Sequence, residues 1–280
     1  MVHPEDLRYF KAISQTSNMT RASERLGVSQ PTLTHAMKRL EAELGCTLLI
    51  RSQSGVRLTK AGLRLLELAD ELESSWGRIR NLVSEEVELV EGTYTIGCHA
   101  SVGLSTIHRF LGGLLREHPK LNIRLRHGLS REIVESISSN RLDLGIIANP
   151  MRLPGLTLSE LCQERFALWK SPTLKNPEVL IYDPDLAQVE KLIDACSKKG
   201  ITFRRHLHSS SLELTAKLTS EGAGIGILPE RVLEEFGGHS CEPVEGAPIV
   251  KDRICLVFKK ENQTTAASTA IIKAIQSARY

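Results

Sequence analysis

The clearest chemical pattern in the sequence is a set of polar and basic side chains within residues 29–45. Apolar residues recur there at spacings of four, three and four, which predicts a helix with one buried side. That side consists of Leu33, Met37, Leu40 and Leu44. At about 100° per residue, the other side carries hydrogen-bonding groups. This polar face and its flanks comprise Gln30, Pro31, Thr32, Thr34, His35, Lys38 and Arg39.

Side chains of these types can recognise nucleic acid. Gln30 can form a bidentate pair with adenine, and Thr34 offers a hydroxyl and a methyl group. His35 or Lys38 can donate to guanine or to phosphate. Arg39 suits phosphate, which positions a protein without reading sequence. For any one of these residues, the alternative is a solvated helix face.

The elements before this helix are predicted by their end signals. A first helix should run over about residues 4–14, with a proline in its first turn. Asn18 or Thr20 can cap a second helix, which Gly27 ends. The polar helix begins two residues later, and a tight turn between two such helices is typical of a helix-turn-helix.

Two short apolar runs follow, at residues 47–51 and 56–59, around a turn of serine, glutamine and glycine. They predict a small hairpin, the wing of a winged helix-turn-helix. Arg51, Gln53 and Arg57 on this hairpin are available to the DNA backbone or minor groove.

Residues 59–90 contain no proline, and their apolar positions alternate at spacings of four and three. This spacing predicts a coiled-coil seam about three heptads long. The seam consists of Leu65, Ala69, Leu72, Trp76, Ile79 and Val83. Such a stripe can also pack on its own domain. Because residues 67–91 carry two basic against eight acidic side chains and end at a short hinge, we favour pairing with a second copy.

After Gly92 the pattern changes to alternating strands and helices. Strands are predicted at residues 93–98, 122–127, 142–148, 179–182, 202–207, 225–229 and 254–258. Helices are predicted at about residues 101–118, 130–140, 185–199, 210–221 and 265–278. This order indicates an α/β fold in two lobes, with parallel strands whose carboxyl ends form the ligand site.

Candidate ligand-binding residues therefore follow the predicted strands. They are His99, Ala100, Ser101, Gly128, Leu129, Ser130, Ala148, Asn149, His208, Ser209 and Ser210. Several of the serines stand near helix N-termini, where free N–H groups favour a carboxylate or sulfate. We therefore expect a small anionic ligand, although each serine could simply cap its own helix.

Motifs of common enzymes are absent from the sequence. There is no G-x-S-x-G, P-loop, H-E-x-x-H or G-x-G-x-x-G at a strand–helix turn, so we expect no enzymatic activity. The six cysteines include no C-x-x-C pair, so no metal site is expected and the thiols should be reduced and mostly buried.

The net charge of +3 hides a segregated distribution. Residues 1–66 hold ten Lys and Arg against five Asp and Glu, a net charge of +5, and residues 67–91 have a net charge of −6. The remaining residues hold 24 basic against 20 acidic side chains. Residues 1–66, with a net charge of +5, can neutralise only a few phosphates, so useful affinity for DNA would need two copies of this segment.

The ordered run from Ser29-Gln30-Pro31 through Leu40-Glu41 and Leu44-Gly45 to Leu58-Thr59-Lys60-Ala61-Gly62 resembles the DNA-binding domain of LysR-type transcriptional regulators. The runs 142–146 and 221–229 are similar to that family's effector domain, itself similar to periplasmic binding proteins. Met19, Ser23, Thr34 and Leu49 depart from the usual family residues.

The resemblance implies an α/β chain with a winged helix-turn-helix at residues 1–58, a dimerising linker helix and hinge at 59–91, and an effector domain at 92–280. Lobe I would comprise 92–160 and 259–280, and lobe II 161–258. It also implies a sequence-specific regulator that binds double-stranded promoter DNA as a homodimer or homotetramer and contacts RNA polymerase. A small-molecule effector of unknown identity, bound between the lobes, would modulate it without any further cofactor.

Two other interpretations remain at this stage. A body that binds no metabolite could serve only as an oligomerisation module, and a hydrolase could use the Ser, His and Asp residues of the strand–helix units. A stand-alone solute-binding protein would need a secretion signal, and the first residues lack the apolar core of one. With no apolar run long enough to cross a bilayer, we expect a cytoplasmic protein.

Overall fold

A computed structural model describes residues 2–52, 55–83, 89–151, 153–174, 178–237, 241–263 and 265–280. Within the fourth helix, the side chains of residues 74, 77, 78 and 80–83 lie outside this description. The chain forms two compact units, Met1–Arg80 and Asn81–Tyr280, which are treated separately below. No helix among the described residues is long and apolar enough to cross a membrane.

The first unit is a three-helix domain with a hairpin and a longer fourth helix. Its elements are α1 (Pro4–Thr16), α2 (Met19–Leu26), α3 (Gln30–Leu44), β1 (Leu49–Ser52), β2 (Gly55–Leu58) and α4 (Lys60–Val83). The side-chain oxygen of Asn18 caps α2, and that of Ser29 caps α3. Gly27 and Gly45 end these helices with positive φ, a conformation that suits glycine. The predicted caps are therefore confirmed.

Two residues of the family-like motif hold the hairpin to its neighbours. Glu41 accepts hydrogen bonds from the backbone N–H groups of Leu48 and Leu49, at 2.8 and 3.1 Å. Thr59 donates to the carbonyl of Thr47 at 2.7 Å and accepts from the N–H of Gly62. A Cβ atom at Gly62 would lie 2.3 Å from the carbonyl oxygen of Leu48, so α4 can approach the hairpin only with glycine there.

An ion-pair cluster holds α4 against α1. The ammonium of Lys11 lies 2.7 Å from Asp70 and also pairs with Glu73. Burial by itself lowers the pKa of Lys11, but its bonds and charge interactions with the two carboxylates outweigh that effect, and the pKa is raised. The first turns of α4 are thus fixed on the helix-turn-helix.

Strands and helices alternate in two parts of the second unit. The strands are β3 (Gly92–Cys98), β4 (Leu121–His127), β5 (Leu144–Ala148), β6 (Leu156–Lys170), β7 (Val179–Tyr182), β8 (Arg205–His208), β9 (Ile225–Pro229), β10 (Glu242–Pro243) and β11 (Val250–Lys259). The α-helices are α5 (Ala100–Thr106), α6 (Leu111–Glu117), α7 (Ser130–Ser138), α8 (Ala187–Lys198), α9 (Leu212–Ser220), α10 (Glu230–Val232) and α11 (Ala266–Ser277). The alternation runs up to β5 and again from β7 to β9, but the strands β6 and β10 were not predicted.

The described strands of this unit form one mixed sheet in the order β4-β3-β5-β11-β6-β9-β7-β8, with β10 beside β6. Strands β3, β4 and β5 are parallel and form lobe I, and β7, β8 and β9 are parallel and form lobe II. The long strands β6 and β11 run antiparallel to their neighbours and pass through both lobes. The expectation of parallel pairing alone was therefore incomplete.

Several predicted elements differ in detail. The helix predicted at residues 101–118 is split into α5, a short 3-10 turn and α6. Residues 254–258 of β11, predicted in lobe II, pair with β5 of lobe I, and the β6–β11 register shifts at Ile254/Cys255. Cys98, Cys196 and Cys255 are buried, but Cys46 is exposed. The domain bounds given above stay predictions.

Candidate functional site

The polar face of α3 is exposed in the first unit. Gln30, Pro31, Thr32, His35 and Lys38 are exposed, and Thr34 is half-buried. On the other side of the helix, Leu33, Met37 and Leu40 are buried in the domain core. Leu44 was predicted to be buried but is 39% exposed, because the helix ends there and no element covers its last turn.

Arg39 has a structural partner that the sequence did not reveal. Its guanidinium donates to both carboxylate oxygens of Asp6 on α1, at 2.8 and 2.5 Å. The side chain of Asp6 is only 1% exposed. A bidentate pair of this kind ties α3 to α1, so the phosphate contact predicted for Arg39 would have to compete with it.

The wing presents two of its three predicted contact residues. Arg51 on β1 and Arg57 on β2 are exposed, on a hairpin with the register Arg51↔Val56 and Ile50↔Arg57. Gln53 lies outside the described residues. The hairpin thus offers two guanidinium groups beside α3 within this unit.

The predicted seam on α4 divides into a covered and an exposed part. Leu65 packs against the core of its own unit, and Ala69 is buried. Leu72, Trp76 and Ile79 are 44%, 55% and 48% exposed. The side chain of Val83 lies outside the described residues. The predicted dimerisation surface is thereby reduced to the second half of the helix.

The second unit contains a cavity of about 290 Å³ between its lobes. Lobe I, lobe II and the two crossing strands all contribute to its lining. Apolar side chains form much of the wall, including Val102, Val134, Phe166 and Leu212. A few polar groups converge within this apolar wall, as in sites for small molecules.

Six of the predicted ligand-binding residues line this cavity. They are His99, Ser101, Leu129, Ser130, Ala148 and Asn149. Ala100, Gly128, His208, Ser209 and Ser210 are not among its lining residues. Helix α9 begins two residues later than predicted and Ser211 caps it, which moves the preceding serines away from the helix start. The imidazole of His208 instead lies 3.0 Å from the hydroxyl of Tyr182.

His99 is the N-cap of α5. Its Nδ1 accepts the backbone N–H of Ser101 at 3.3 Å and lies 2.9 Å from the Ser101 hydroxyl. Burial lowers the pKa of His99, so the ring is neutral at pH 7 and carries its proton on Nε2. In the structure, Ser101 is therefore already engaged with this cap.

Seven polar residues of the lining were missed in the sequence. Four are Arg131, Glu135, Asp185 and Gln188, and the fifth is Asp252 on β11. It is 1% exposed and accepts hydrogen bonds from Asn149 at 2.7 Å and from Gln188 on α8 at 2.9 Å. Burial raises its pKa, and the two amide donors oppose that rise. Because Asn149 belongs to lobe I and Gln188 to lobe II, this carboxylate connects the lobes.

The other missed residues are Glu164 on β6 and Arg231 on α10. The Nε atom of Arg231 lies 3.1 Å from Oε2 of Glu164, an ion pair without an aligned hydrogen bond. Burial raises the pKa of Glu164 to about 7, against the opposing effect of Arg231. Glu164 lies between Gln163 and Arg165, and Arg231 follows Glu230, so no local pattern distinguished the two residues from surface positions.

The lining does not favour the anionic ligand that the sequence predicted. Among its described residues are four carboxylates, Glu135, Glu164, Asp185 and Asp252, against two guanidinium groups, Arg131 and Arg231. At the start of α7, the carboxylate of Glu132 already accepts the N–H of Leu129. Within the described part of the chain, no group of three His, Cys, Asp or Glu side chains could hold a metal ion.

Both units match known family models. Residues 4–63 match the bacterial regulatory helix-turn-helix proteins of the lysR family, and residues 88–279 match the LysR substrate binding domain. The transcriptional activator IlvY of Salmonella typhimurium is 26% identical, over 89% of this chain and 88% of its own length. The hydrogen peroxide-inducible genes activator of Dickeya chrysanthemi is 27% identical, over 91% and 88%.

A solved structure shows the same fold. Full-length CbnR in complex with its target DNA has a TM-score of 0.68 and 24% sequence identity, over 98% of this chain and 99% of that one. Proteins of this kind are DNA-binding transcription factors rather than enzymes, and their second domain binds small-molecule effectors. The two matched segments cover nearly the whole sequence, and the chain therefore belongs to the LysR family of transcriptional regulators.

Proposed function

We propose that this regulator reads an operator with the exposed face of α3 and responds to a small molecule in the cavity between its two lobes. The observation that carries the proposal is the cavity itself, in which buried Glu164, Asp252 and Arg231 face an apolar wall. Polar groups of this kind fix the orientation of a ligand, and the wall supplies binding energy.

On the DNA, each exposed residue of α3 has a proposed role. Gln30 pairs with adenine, and His35 and Lys38 donate to guanine or phosphate in the major groove. Arg51 and Arg57 of the wing contact the backbone or the adjacent minor groove. Because Arg39 is engaged with Asp6, we assign it to the support of α3.

Effector binding acts by a population shift. A ligand in the cavity binds one arrangement of the lobes more tightly than the other and so favours it. Asp252 is placed to sense this change, because its two hydrogen bonds reach residues of different lobes. In an oligomer, the shift would alter the half-site spacing or the bend of the DNA.

Self-association is proposed through α4. Leu72, Trp76 and Ile79 are exposed on one side of this helix, a surface suited to the same helix of a second copy. The two helix-turn-helix units of a dimer would then bind two half-sites, and further contacts between second units would give a tetramer. We also propose contact with RNA polymerase and location in the cytoplasm, as expected of a promoter-bound bacterial regulator.

Peroxide sensing, suggested by one relative's name, is not favoured for the cysteines of the second unit. Burial raises the pKa of Cys98 to about 11, and it raises the pKa of Cys162, Cys196, Cys241 and Cys255 as well. Oxidation requires the thiolate, which a raised pKa disfavours. The raised pKa values of these thiols therefore favour an effector that binds reversibly over one that oxidises a thiol.

The DNA-binding assignment is tested by two separate substitutions in the full chain. Lys38→Ala should weaken binding to all sequences and reduce the dependence of affinity on salt, because one phosphate contact is lost. His35→Ala should change base preference at one position, measured by selection from a randomised DNA library. If both variants keep the affinity and specificity of the wild type, α3 is not the reading helix.

The alternative is a body that serves only as an oligomerisation module. Hydrogen exchange of the full chain with and without a metabolite mixture separates the two functions. Protection of the backbone at residues 99–101, 129–130 and 148–149 would support the effector site. An unchanged exchange pattern with every mixture would favour the module.

A further inference from the structure

Among the described residues, the buried side-chain atoms without a hydrogen-bond partner belong to Glu164 and Arg231, which line the cavity, and to Glu213 on α9, which is not among its lining residues. They are both carboxylate oxygens of Glu164, Oε1 of Glu213, and Nε and Nη1 of Arg231. The side chain of Glu164 is 8% exposed and that of Arg231 is 18% exposed. Buried polar atoms are normally paired, so an unpaired group at a cavity indicates a missing partner.

These atoms do not satisfy one another. Oε2 of Glu164 and Nε of Arg231 face each other at 3.1 Å. This leaves Oε1 of Glu164 as an unpaired acceptor and Nη1 of Arg231 as an unpaired donor at the cavity. Asp252 already accepts hydrogen bonds from Asn149 and Gln188. The floor of the cavity, formed by Glu164, Arg231 and Asp252, therefore keeps a carboxylate oxygen that can accept a hydrogen bond from a ligand.

The charge balance points in the same direction. In the floor, Glu164 and Asp252 place two carboxylates beside the single guanidinium of Arg231. Glu213 and Asp183 add negative potential nearby, since both act on the ring of His99. The raised pKa of Glu164 is a further sign that its negative charge is poorly compensated.

We propose that the effector carries a protonated amine, which Glu164 receives in the floor of the cavity, next to an apolar portion that packs on Phe166 and Leu212. The proposal rests on the proposed effector function and names the ligand's chemical class. It replaces the anionic effector expected from the sequence. An anion alone would add charge to a floor that already has an excess of carboxylates.

Four probes with closely matched carbon chains test this class on the full-length protein. Norleucine carries an ammonium and a carboxylate, pentylamine only the ammonium, hexanoate only the carboxylate, and pentanol neither. Isothermal titration calorimetry at neutral pH should show pentylamine or norleucine binding at least tenfold more tightly than hexanoate and pentanol. Equal or tighter binding of hexanoate would overturn the proposal.

A variant pair assigns the preference to Glu164. Glu164→Gln keeps the shape of the side chain and removes its charge, and it should weaken binding of pentylamine at least tenfold. Glu160→Gln is the matched control, because Glu160 lies on the same strand β6 but is exposed and is not among the residues that line the cavity. It should change the affinity less than threefold. If the folded Glu164→Gln variant binds pentylamine as tightly as the wild type, the assignment to Glu164 is wrong. If that variant does not fold, the order of affinities of the four probes for the wild type decides whether the effector carries an amine.

The outcomes separate this inference from the proposed function. If hexanoate alone binds and protects residues 99–101 in hydrogen exchange, the amine is wrong and the effector site stands. If none of the four probes binds, the amine proposal is rejected. The effector function is then judged by the metabolite-mixture experiment described above, and DNA binding by the substitutions in α3.

Discussion

The side-chain amide of Asn149 donates a 2.7 Å hydrogen bond to the buried carboxylate of Asp252. Asn149 also exchanges hydrogen bonds with the backbone of Arg253, at 2.8 and 2.9 Å, from a backbone with φ of 50°. Asparagine tolerates this left-handed conformation better than most residues. One side chain therefore fixes the end of β5 to the strand that passes through both lobes.

We expect Asn149→Ala to lower the free energy of unfolding of the second unit by about 2–3 kcal/mol, because Asp252 loses a donor and the backbone becomes strained. Asn140 has a similar φ of 59° at the end of α7. Asn140→Ala therefore measures the backbone effect alone and should cost about 1 kcal/mol. If urea denaturation gives the same loss of unfolding free energy for both variants, the hydrogen bond from Asn149 to Asp252 contributes nothing to stability.

The raised pKa of Glu164 predicts a pH-dependent stability. Between its ordinary value of 4.5 and about 7, the unfolded chain has lost the proton and the folded unit keeps it. The free energy of unfolding should therefore fall as pH rises through this window, by roughly 3 kcal/mol in total. Glu164→Gln should remove that part of the slope.

Urea denaturation between about pH 5 and about pH 8 measures the effect. A Trp76→Phe background leaves Trp169, which is buried in lobe II, as the one remaining tryptophan. Subtracting the variant's profile removes contributions from His99 and Asp252, which are common to both proteins. Parallel profiles for variant and parent would contradict the raised pKa.

The pair of Arg39 and Asp6 should act on stability more than on DNA affinity. Arg39→Ala leaves a buried carboxylate without its partner, so amides of α1 and α3 should exchange faster with solvent. Asp6→Ala should have a similar effect, and the double variant should lose less than the sum of the two. A drop in the salt dependence of DNA binding as large as that of Lys38→Ala would show a phosphate contact instead.

Gly62 should resist substitution for steric reasons. A Cβ atom there would lie 2.3 Å from the carbonyl oxygen of Leu48, so Gly62→Ala should destabilise the first unit by about 1–3 kcal/mol. Gly113 in α6 has open space around the same position. Gly113→Ala should be neutral or stabilising by up to about 1 kcal/mol. If the denaturation curves of the two variants coincide, α4 does not approach the hairpin closely at Gly62.

The exposed stripe on α4 predicts association. Ile79→Glu places a charge in the proposed seam and should shift the protein toward the monomer in sedimentation velocity. Leu63 lies on the opposite side of the same helix and is similarly exposed, at 54%. Leu63→Glu should leave the oligomer unchanged. If the two variants sediment alike, the seam does not hold the subunits together.

The helix-turn-helix could be predicted from the sequence because its signals are local. Asn18, Ser29, Gly27 and Gly45 cap helices through bonds to residues no more than a few positions away. The same holds for the short parallel strands β5, β7 and β9, whose residues are nearly all apolar. Burial of Leu44 was predicted wrongly because periodicity does not show where the covering elements end.

The floor of the cavity could not be predicted in this way. Strand β6 pairs with β11 about ninety residues later, and its first half is only partly buried, so it has no clear strand pattern. Glu164 meets Asp252 only through that pairing, and Arg231 joins them through the pairing of β6 with β9. The sequence thus indicated the rim of the site, at the ends of parallel strands, and missed the charged residues beneath it.

The path of β11 also bears on how the protein is made. Residues 254–258 complete the sheet of lobe I, and Ile271, Ile272 and Ile275 of α11 complete its core. During synthesis, β3 to β5 leave the ribosome well before these partners exist. Their apolar surface must stay uncovered until the final helix emerges, so this lobe depends longest on chaperones, whereas the helix-turn-helix can fold as soon as it is made.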